Sequence, residues 1–127
     1  MNTVQEERYS NGKLKERSTW KDDLLNGVSE IWDSTGKLMV RKNCKNGKMN
    51  GLYEKWHLNG QLKFRFNYKN GKRDGLSEAW YENGQIKIRE NYKKGNFDGL
   101  VEKWNPDGTL TRRSFFKNDR LVVDRKY

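Results

Sequence analysis

Apolar and polar residues alternate in short runs along this chain, and each run ends in a pair of turn residues. From Gln61 to Tyr68 every second side chain is apolar, and the side chains between them are Lys, Arg or Asn. Such alternation is the pattern of a β-strand with one apolar face. The residues predicted to share that face are Leu62, Phe64, Phe66 and Tyr68. A second run, Leu52–Trp56, alternates likewise, so the pattern predicts two short strands in this segment.

Asn-Gly or Asp-Gly pairs separate the runs and recur with a fixed period. All twelve glycines fall in three columns spaced by 24 residues: Gly12, Gly36, Gly60, Gly84 and Gly108; Gly27, Gly51, Gly75 and Gly99; Gly47, Gly71 and Gly95. Glycine placed this strictly marks backbone positions that need a positive φ angle or a close approach. Asn-Gly and Asp-Gly between alternating runs are among the strongest short-range signals for a β-hairpin.

The period predicts an all-β fold, a single-layer antiparallel meander of about five repeated β-hairpins. One repeat domain covers residues 1–127, with repeats at 3–26, 27–50, 51–74, 75–98 and 99–122. The first and last repeats lack several column residues, as expected of repeats that cap an array. About ten strands spaced by about 4.8 Å would form a strip on the order of 45 Å long.

Three further columns are apolar and predict one apolar ribbon along the strip. They are a Trp column (Trp32, Trp56, Trp80, Trp104), a Leu column (Leu14, Leu38, Leu62, Ile86, Leu110) and a mostly aromatic column (Trp20, Cys44, Tyr68, Tyr92, Phe116). Cys44 is therefore expected to be a core thiol and not a nucleophile. A Glu column and an Arg column, which include Glu54 and Arg65, predict exposed ion pairs across neighbouring strands.

The composition adds a strong positive charge to this picture. Of the 127 residues, 32% are hydrophobic and 35% are charged, which is too polar for a thick two-layer core. The net charge is +10 at pH 7. Such a balance favours an acidic partner, which can be an acidic protein, an anionic membrane or a nucleic acid. An excess of Lys also serves solubility alone, so composition leaves both interpretations open.

Residues that carry out chemistry are scarce. The one cysteine and the one histidine do not form a pattern of zinc ligands, and no glycine-rich phosphate loop precedes a helix. We therefore expect a protein that is not an enzyme and has no cofactor and no metal. The N-terminal residues lack the apolar segment of a signal peptide, and no apolar run approaches the ~20 residues of a transmembrane helix. A cytoplasmic location is expected.

Two groups of residues are candidates for binding a partner. The first is a basic edge at the Asn-Gly turns: Lys45, Lys69, Lys93, Lys117, Lys72 and Arg73. The second makes the third repeat unusually aromatic: Tyr53, Lys55, His57, Phe64 and Phe66. A row of cations steers acidic partners and speeds association. The alternatives are that Lys at turns only keeps the edge solvated and that the aromatic residues only pack locally.

The repeated unit resembles the MORN repeat variant. The matching residues are G-L-x-E-x-W, then x-N-G-x-[LI], then [YF]-K-N-G-K-x-D-G, and they recur over residues 3–122. The common MORN repeat centres on G-x-Y-x-G, where this chain mostly has Glu and Trp. The resemblance implies binding rather than catalysis and brings no active-site residues. Proteins similar to this variant include bacterial antitoxin or immunity proteins encoded beside toxins, and arrays in bacteria and large DNA viruses.

The expected function is a non-enzymatic protein–protein interaction module. Its most concrete form is an antitoxin- or immunity-like protein that binds an acidic partner. One alternative is a structural or scaffold protein in a virus particle or in an oligomer built through the end strands. Another is an electrostatic binder of anionic lipid or nucleic acid, although most aromatic residues are assigned to core columns and few remain to stack on bases.

Overall fold

The computed structural model describes residues 2–127, which form twelve β-strands and no helix. The strands are β1 (Thr3–Arg8), β2 (Leu14–Lys21), β3 (Leu24–Leu25), β4 (Gly27–Trp32), β5 (Leu38–Lys45), β6 (Lys48–Trp56), β7 (Leu62–Lys69), β8 (Lys72–Trp80), β9 (Ile86–Lys93), β10 (Asn96–Trp104), β11 (Leu110–Lys117) and β12 (Arg120–Lys126). Within residues 2–127 there is accordingly no helical segment of the length and apolarity needed to span a membrane.

The strands form one antiparallel meander that follows the chain. Neighbours in the sheet are neighbours in the sequence, except that β2 pairs with β4 and the short β3 pairs only with β2. The prediction of an all-β, single-layer array of hairpins is confirmed. The strands outnumber the expected ten because Leu24–Leu25 and Arg120–Lys126 each add one.

Two kinds of turn alternate and lie on opposite long edges of the strip. In the turns at 22–23, 46–47, 70–71, 94–95 and 118–119 both central residues have positive φ, as in Asn70 at 50° and Gly71 at 81°. Two such residues are what a type I′ hairpin turn requires. In the other turns a glycine amide closes a short loop, as in Gly60, whose N–H donates to the His57 carbonyl at 2.9 Å. Because the strands alternate in direction, each kind of turn is confined to one edge.

A β-bulge interrupts each of the five hairpins beside the Trp column. In the third repeat Lys55 lies opposite Phe64, but the next pair is Trp56 and Leu62. Lys63 is therefore the extra residue of the bulge. An extra residue breaks the simple alternation of faces along its strand.

The bulge overturns the predicted single apolar ribbon. Leu62 lies opposite Trp56 and lines a surface groove with Trp80, on the face that carries Glu54. The expectation that the Leu column shares a face with the repeat position of Tyr68, Tyr92 and Phe116 was wrong, because simple alternation does not count the bulged residue. The Trp and Leu columns lie on one face of the sheet, and the position of Tyr68, Tyr92 and Phe116 lies on the other.

The face with the Trp and Leu columns, here called the ion-pair face, carries a continuous row of alternating Glu and Arg. The row crosses ten strands, from Glu6 on β1 to Arg113 on β11. Within each hairpin the guanidinium contacts the carboxylate, as in Arg65 Nε to Glu54 Oε2 at 3.0 Å. The predicted pairs are present, but only Glu6 at the end of the row has an exposed carboxylate. The other four are largely covered, as in Glu54, whose side chain is only 8% exposed against 44% for Arg65.

Few side chains are fully buried, because both faces of a single sheet meet solvent. The buried apolar residues are Cys44 and Val101, at 7% and 6% exposure. Small hydroxyl side chains fill much of the remaining interior: Ser18, Ser29, Ser77 and Ser114. Burial raises the pKa of the Cys44 thiol, which keeps it protonated. The prediction that Cys44 is a core thiol is confirmed by its burial.

The second glycine column gives a prediction about stability. Gly51 has a φ of 110°, and a Cβ at this residue would lie 3.3 Å from the Asn43 Cβ. We expect Gly51→Ala to lower the free energy of unfolding by about 1–3 kcal/mol, measured by urea denaturation. Gly60→Ala is the matched control, because Gly60 has a φ of 88° with no atom within 4 Å. Equal losses in both variants would show that the close contact at Gly51 is unimportant.

The Asp124 carboxylate links β12 to β11 through hydrogen bonds. Asp124 Oδ1 accepts hydrogen bonds from Arg112 Nε at 3.0 Å and Ser114 Oγ at 2.6 Å, and Oδ2 accepts one from Arg112 Nη2 at 2.8 Å. These bonds, that of Arg112 first, lower the pKa of Asp124 from 3.8 to about 2. Because the folded-state pKa lies below the unfolded value, the stabilisation is present above the unfolded pKa and is lost as the pH falls.

We therefore expect the β12 amides to lose protection from hydrogen exchange as the pH falls from about 4 to about 2. The measurement is amide exchange by NMR, corrected for the intrinsic pH dependence, with the amides of β7 as the internal reference. In Asp124→Asn the β12 amides should be less protected at neutral pH and show no such step. A step that survives in Asp124→Asn would assign it to another group.

Candidate functional site

The turns with two positive-φ residues place the predicted basic residues along one long edge of the sheet. Lys45, Lys69, Lys93 and Lys117 each end the second strand of a hairpin, and all four are exposed. Lys72 begins β8 on the same edge and is also exposed. We call this edge the cationic edge and define it by Lys45, Lys48, Lys69, Lys72, Lys93, Lys94, Lys117 and Arg120.

Charge is distributed unequally between the two long edges. The turns of the cationic edge contain three carboxylates, all in the first and last turns: Asp22, Asp23 and Asp119. Asp74 and Asp98 lie beside the turns and partly offset the charge, and each accepts a backbone N–H from the following turn. The three central turns, at residues 45–48, 69–72 and 93–96, hold six lysines and no carboxylate. The turns of the opposite edge hold two lysines against three carboxylates: Lys13, Lys37, Asp33, Glu82 and Asp107. The strip is therefore positive along one edge and close to neutral along the other.

Hydrogen bonds between neighbouring turns hold the cationic edge in shape. Asp74 Oδ1 accepts the Lys94 N–H at 2.9 Å, and the Gly95 N–H donates to the Arg73 carbonyl at 2.7 Å. One repeat earlier, Asn50 Oδ1 accepts the Asn70 N–H at 3.1 Å. Each turn is thus fixed to the one before it, so the spacing of the lysines is set by the backbone.

Arginine and lysine have separate roles in this sheet. All eight ion pairs among residues 2–127 involve an Arg. Within the same residues no lysine ammonium lies within 4.0 Å of a carboxylate. The cations that stabilise the fold are therefore arginines, whereas the lysines of the cationic edge have no carboxylate partner within the chain.

Arg73 lies at the turns in sequence, but its side chain does not extend with the lysines. Its guanidinium lies 4.1 Å from the ring centre of Phe66 and 5.1 Å from that of Tyr92. Arg73 Nη1 donates to Tyr92 Oη at 2.9 Å and lies 3.5 Å from Glu90 Oε1. Burial disfavours the cation, but bonds to Tyr68 and Tyr92 outweigh it and raise the pKa of Arg73. Arg73 is thus part of the fold between two repeats.

Tyr53, Phe64 and Phe66 are brought together on the face opposite the ion-pair face. The Tyr53 and Phe64 ring centres are 5.1 Å apart, and those of Phe64 and Phe66 are 4.3 Å apart, with nearly parallel planes. Lys55 lies opposite Phe64 and is half-buried. The ring faces in this group therefore contact one another, and the ring edges remain for a partner.

Together these side chains form a column of stacked groups across six strands. Beyond Arg73 the column continues through Tyr92 and Phe97, whose ring centres are 4.9 Å apart, to Phe116 at a further 4.9 Å. We call this set the aromatic column: Tyr53, Phe64, Phe66, Arg73, Tyr92, Phe97 and Phe116. No periodic signal in the sequence places Arg73 between two rings.

His57 is fixed by the next repeat. Its Nε2 lies 2.8 Å from the Trp80 carbonyl oxygen, so this nitrogen carries the proton and donates. Tyr9 and Tyr81 donate from the same column to Trp32 and Trp104 carbonyls at 2.7 Å. The sequence pattern does not predict these contacts, because the His, Tyr, Asp and Asn residues at this repeat position have little in common except polar side chains.

Among residues 2–127 no group of three or more His, Cys, Asp or Glu side chains is arranged to hold a metal ion. The cationic edge presents a row of cations, and the aromatic column presents half-exposed ring edges. These features are of the kind that protein surfaces use for binding.

The aromatic column gives a prediction that separates Arg73 from the lysines. Arg73→Ala should lower the free energy of unfolding by about 2 kcal/mol, because a partly buried cation between two rings is lost. Arg73→Lys should recover only part of this, since an ammonium lacks the planar face of a guanidinium. The exposed neighbour Lys72→Ala is the control and should stay within about 0.5 kcal/mol of the parent. Similar urea midpoints for Arg73→Ala and Lys72→Ala would contradict the assignment.

Comparison with known proteins identifies the repeat. Residues 1–22, 49–70, 73–94 and 97–118 match the family model of the MORN repeat variant, and together they make up more than half of the chain. The search of curated proteins found no match. Proteins with MORN repeats generally mediate binding and are generally not enzymes. On its repeats and its hairpin meander, this chain belongs to the MORN repeat variant family.

Proposed function

We propose that this protein is a non-enzymatic module that binds an acidic protein through the cationic edge. The observation that carries the proposal is the set of six lysines in the three central turns, which have no carboxylate among them and no ion pair within the described chain. A cationic row of this kind attracts acidic surfaces and raises the association rate, and both effects weaken with salt.

The placement of the lysines opposes stability, which argues against a purely structural role. Lys45 lies directly opposite Lys48, and Lys69 lies directly opposite Lys72. Like charges that face each other across two strands are destabilising. Neutral or opposite charges at one position of each pair would close these turns equally well. An acidic partner would relieve the repulsion when it binds.

The most concrete form of the proposal is an antitoxin- or immunity-like protein in the cytoplasm that covers an acidic toxin. Support comes from the sequence resemblance to such proteins and from the binding role general to the family. Nucleic acid is a weaker candidate, because the ring faces of the aromatic column are occupied by one another and by Arg73 and so are closed to bases.

The test is an affinity pull-down of the full chain from its native source after nuclease treatment. The variant carries Lys45, Lys69, Lys93 and Lys117 all changed to Glu. The matched control reverses the same number of exposed lysines away from the cationic edge, namely Lys13, Lys37, Lys63 and Lys87. Circular dichroism and thermal melting of both variants verify that they fold.

We expect one stoichiometric acidic protein with the parent and the control, and its loss with the edge variant. Capture that is equal for the edge variant and the control would reject the cationic edge as the binding surface. If the parent captures no protein but retains vesicles of anionic lipid, or binds nucleic acid with a steep salt dependence, the protein-binding proposal fails.

A further inference from the structure

The central part of the cationic edge contains a groove between two successive turns. The groove has a volume of about 410 Å³ and is lined by Lys69, Asn70, Lys72, Asp74, Lys93 and Lys94. Four of these six residues are lysines, and Asp74 is engaged with the Lys94 amide. The groove is therefore a strongly cationic concave part of the strip.

Lysine side chains form the floor between neighbouring turns. The aliphatic part of Lys72 lies against Gly95 of the next turn, where a Cβ would be 3.7 Å from the Lys72 Cβ. Lys48 lies against Gly71 in the same way, at 3.8 Å. Each of these lysines reaches from its own turn onto the next, so the same contact between a lysine and a glycine joins two successive pairs of turns.

Lys94 occupies a backbone position that lysine disfavours. Its φ is 52°, and the equivalent residues of other repeats are Asn46, Asn70 and Asn118 at 50–51°. Asparagine tolerates this left-handed conformation, whereas other residues with a Cβ adopt it at a cost. A cation held in an unfavourable conformation at the centre of the groove points to a role outside folding.

The groove lacks the donors that a phosphate site uses. Phosphate is commonly held by free backbone N–H groups in a turn. Here the Asn70 and Lys94 amides donate to Asn50 and Asp74 side chains, and the Gly71 and Gly95 amides donate to carbonyls of the preceding repeat. The groove offers flexible ammonium groups and aliphatic walls, which suit carboxylate side chains on a peptide.

The spacing of the turns matches an extended peptide in the polyproline II conformation. Successive turns of the cationic edge are two strands apart, or about 9.6 Å. Three residues of polyproline II helix cover about 9.3 Å and make one full turn, so side chains at every third residue point to the same side, whereas in a β-strand they would point to opposite sides. Carboxylates at every third residue of such a segment would therefore meet successive turns.

We propose that the cationic edge binds an extended acidic segment of its protein partner, with carboxylates at every third residue seated between successive turns. The groove between residues 69–72 and 93–96 is its central contact. This inference rests on the proposed function and narrows it, because an acidic protein can also bind through a folded surface.

The test uses two labelled peptides of the same composition and fluorescence anisotropy with the full chain. One peptide repeats Glu-Ser-Gly four times, and the other groups its four Glu residues and then its Ser and Gly residues. We expect the spaced peptide to bind about threefold to tenfold more tightly at low salt, because its carboxylates reach successive turns of the cationic edge. Simple attraction to charge density would favour the grouped peptide instead, and equal or tighter binding of the grouped peptide would overturn the proposal.

Lys94→Asn provides the decisive variant, because the fold already uses Asn at three equivalent positions. We expect this variant to melt about 2–5 °C higher, since strain is relieved, and to lose most of its preference for the spaced peptide. Lys63→Asn, on the bulge away from the edge, should leave the preference unchanged. A Lys94→Asn variant that keeps the preference would reject the groove as the central contact.

Competition by pyrophosphate and the result of the pull-down distinguish the extended-segment inference from the proposed function. Pyrophosphate should displace the spaced peptide only at concentrations that displace the grouped peptide equally. Selective displacement of the spaced peptide would identify a phosphate site and reject the carboxylate assignment. If the pull-down retains an acidic protein but the two peptides bind equally, the proposed function stands and the extended-segment inference falls.

Discussion

The cross-strand row of alternating Glu and Arg is the interaction on which the rest of the structure depends. A single sheet with solvent on both faces has little apolar burial to fix the pairing of its strands. A slip of one residue would carry every guanidinium to the face opposite its carboxylate. Each pair is worth little alone, but the row spans ten strands and includes carboxylates as buried as Glu54, at 8% exposure. The register of the strands fixes the position of every turn, and the turns carry the lysines of the cationic edge.

The two basic residue types are used differently in this sheet. Arginine pairs with carboxylates and stacks on rings, as Arg41 does with Glu30 and Trp56, because its planar group can do both at once. Lysine is a compact, strongly hydrated charge on a flexible chain, and in the described residues it makes no ion pair. A surface made of lysines can therefore adapt to a partner without disturbing the interactions that hold the strands.

The aromatic column shows how far a departure from the repeat can be interpreted. The sequence marked Tyr53, Phe64 and Phe66 as extra aromatic residues and left open whether they bind a partner or pack locally. The structure stacks their faces and continues the column through Arg73 to Phe116. Their binding role stays a prediction, and it now rests on ring edges alone.

The sequence by itself determined the repeat, the hairpins, the positive-φ turn positions and the basic edge, because each follows from spacing along the chain. It did not determine the bulge that moves Leu62 to the ion-pair face, because alternation is counted residue by residue and a bulge adds one uncounted residue. It did not place Arg73 between Phe66 and Tyr92 or His57 on the Trp80 carbonyl. Those contacts join neighbouring repeats, and only the tertiary structure decides which side chains meet there, because the choice depends on register and twist and not on local propensity.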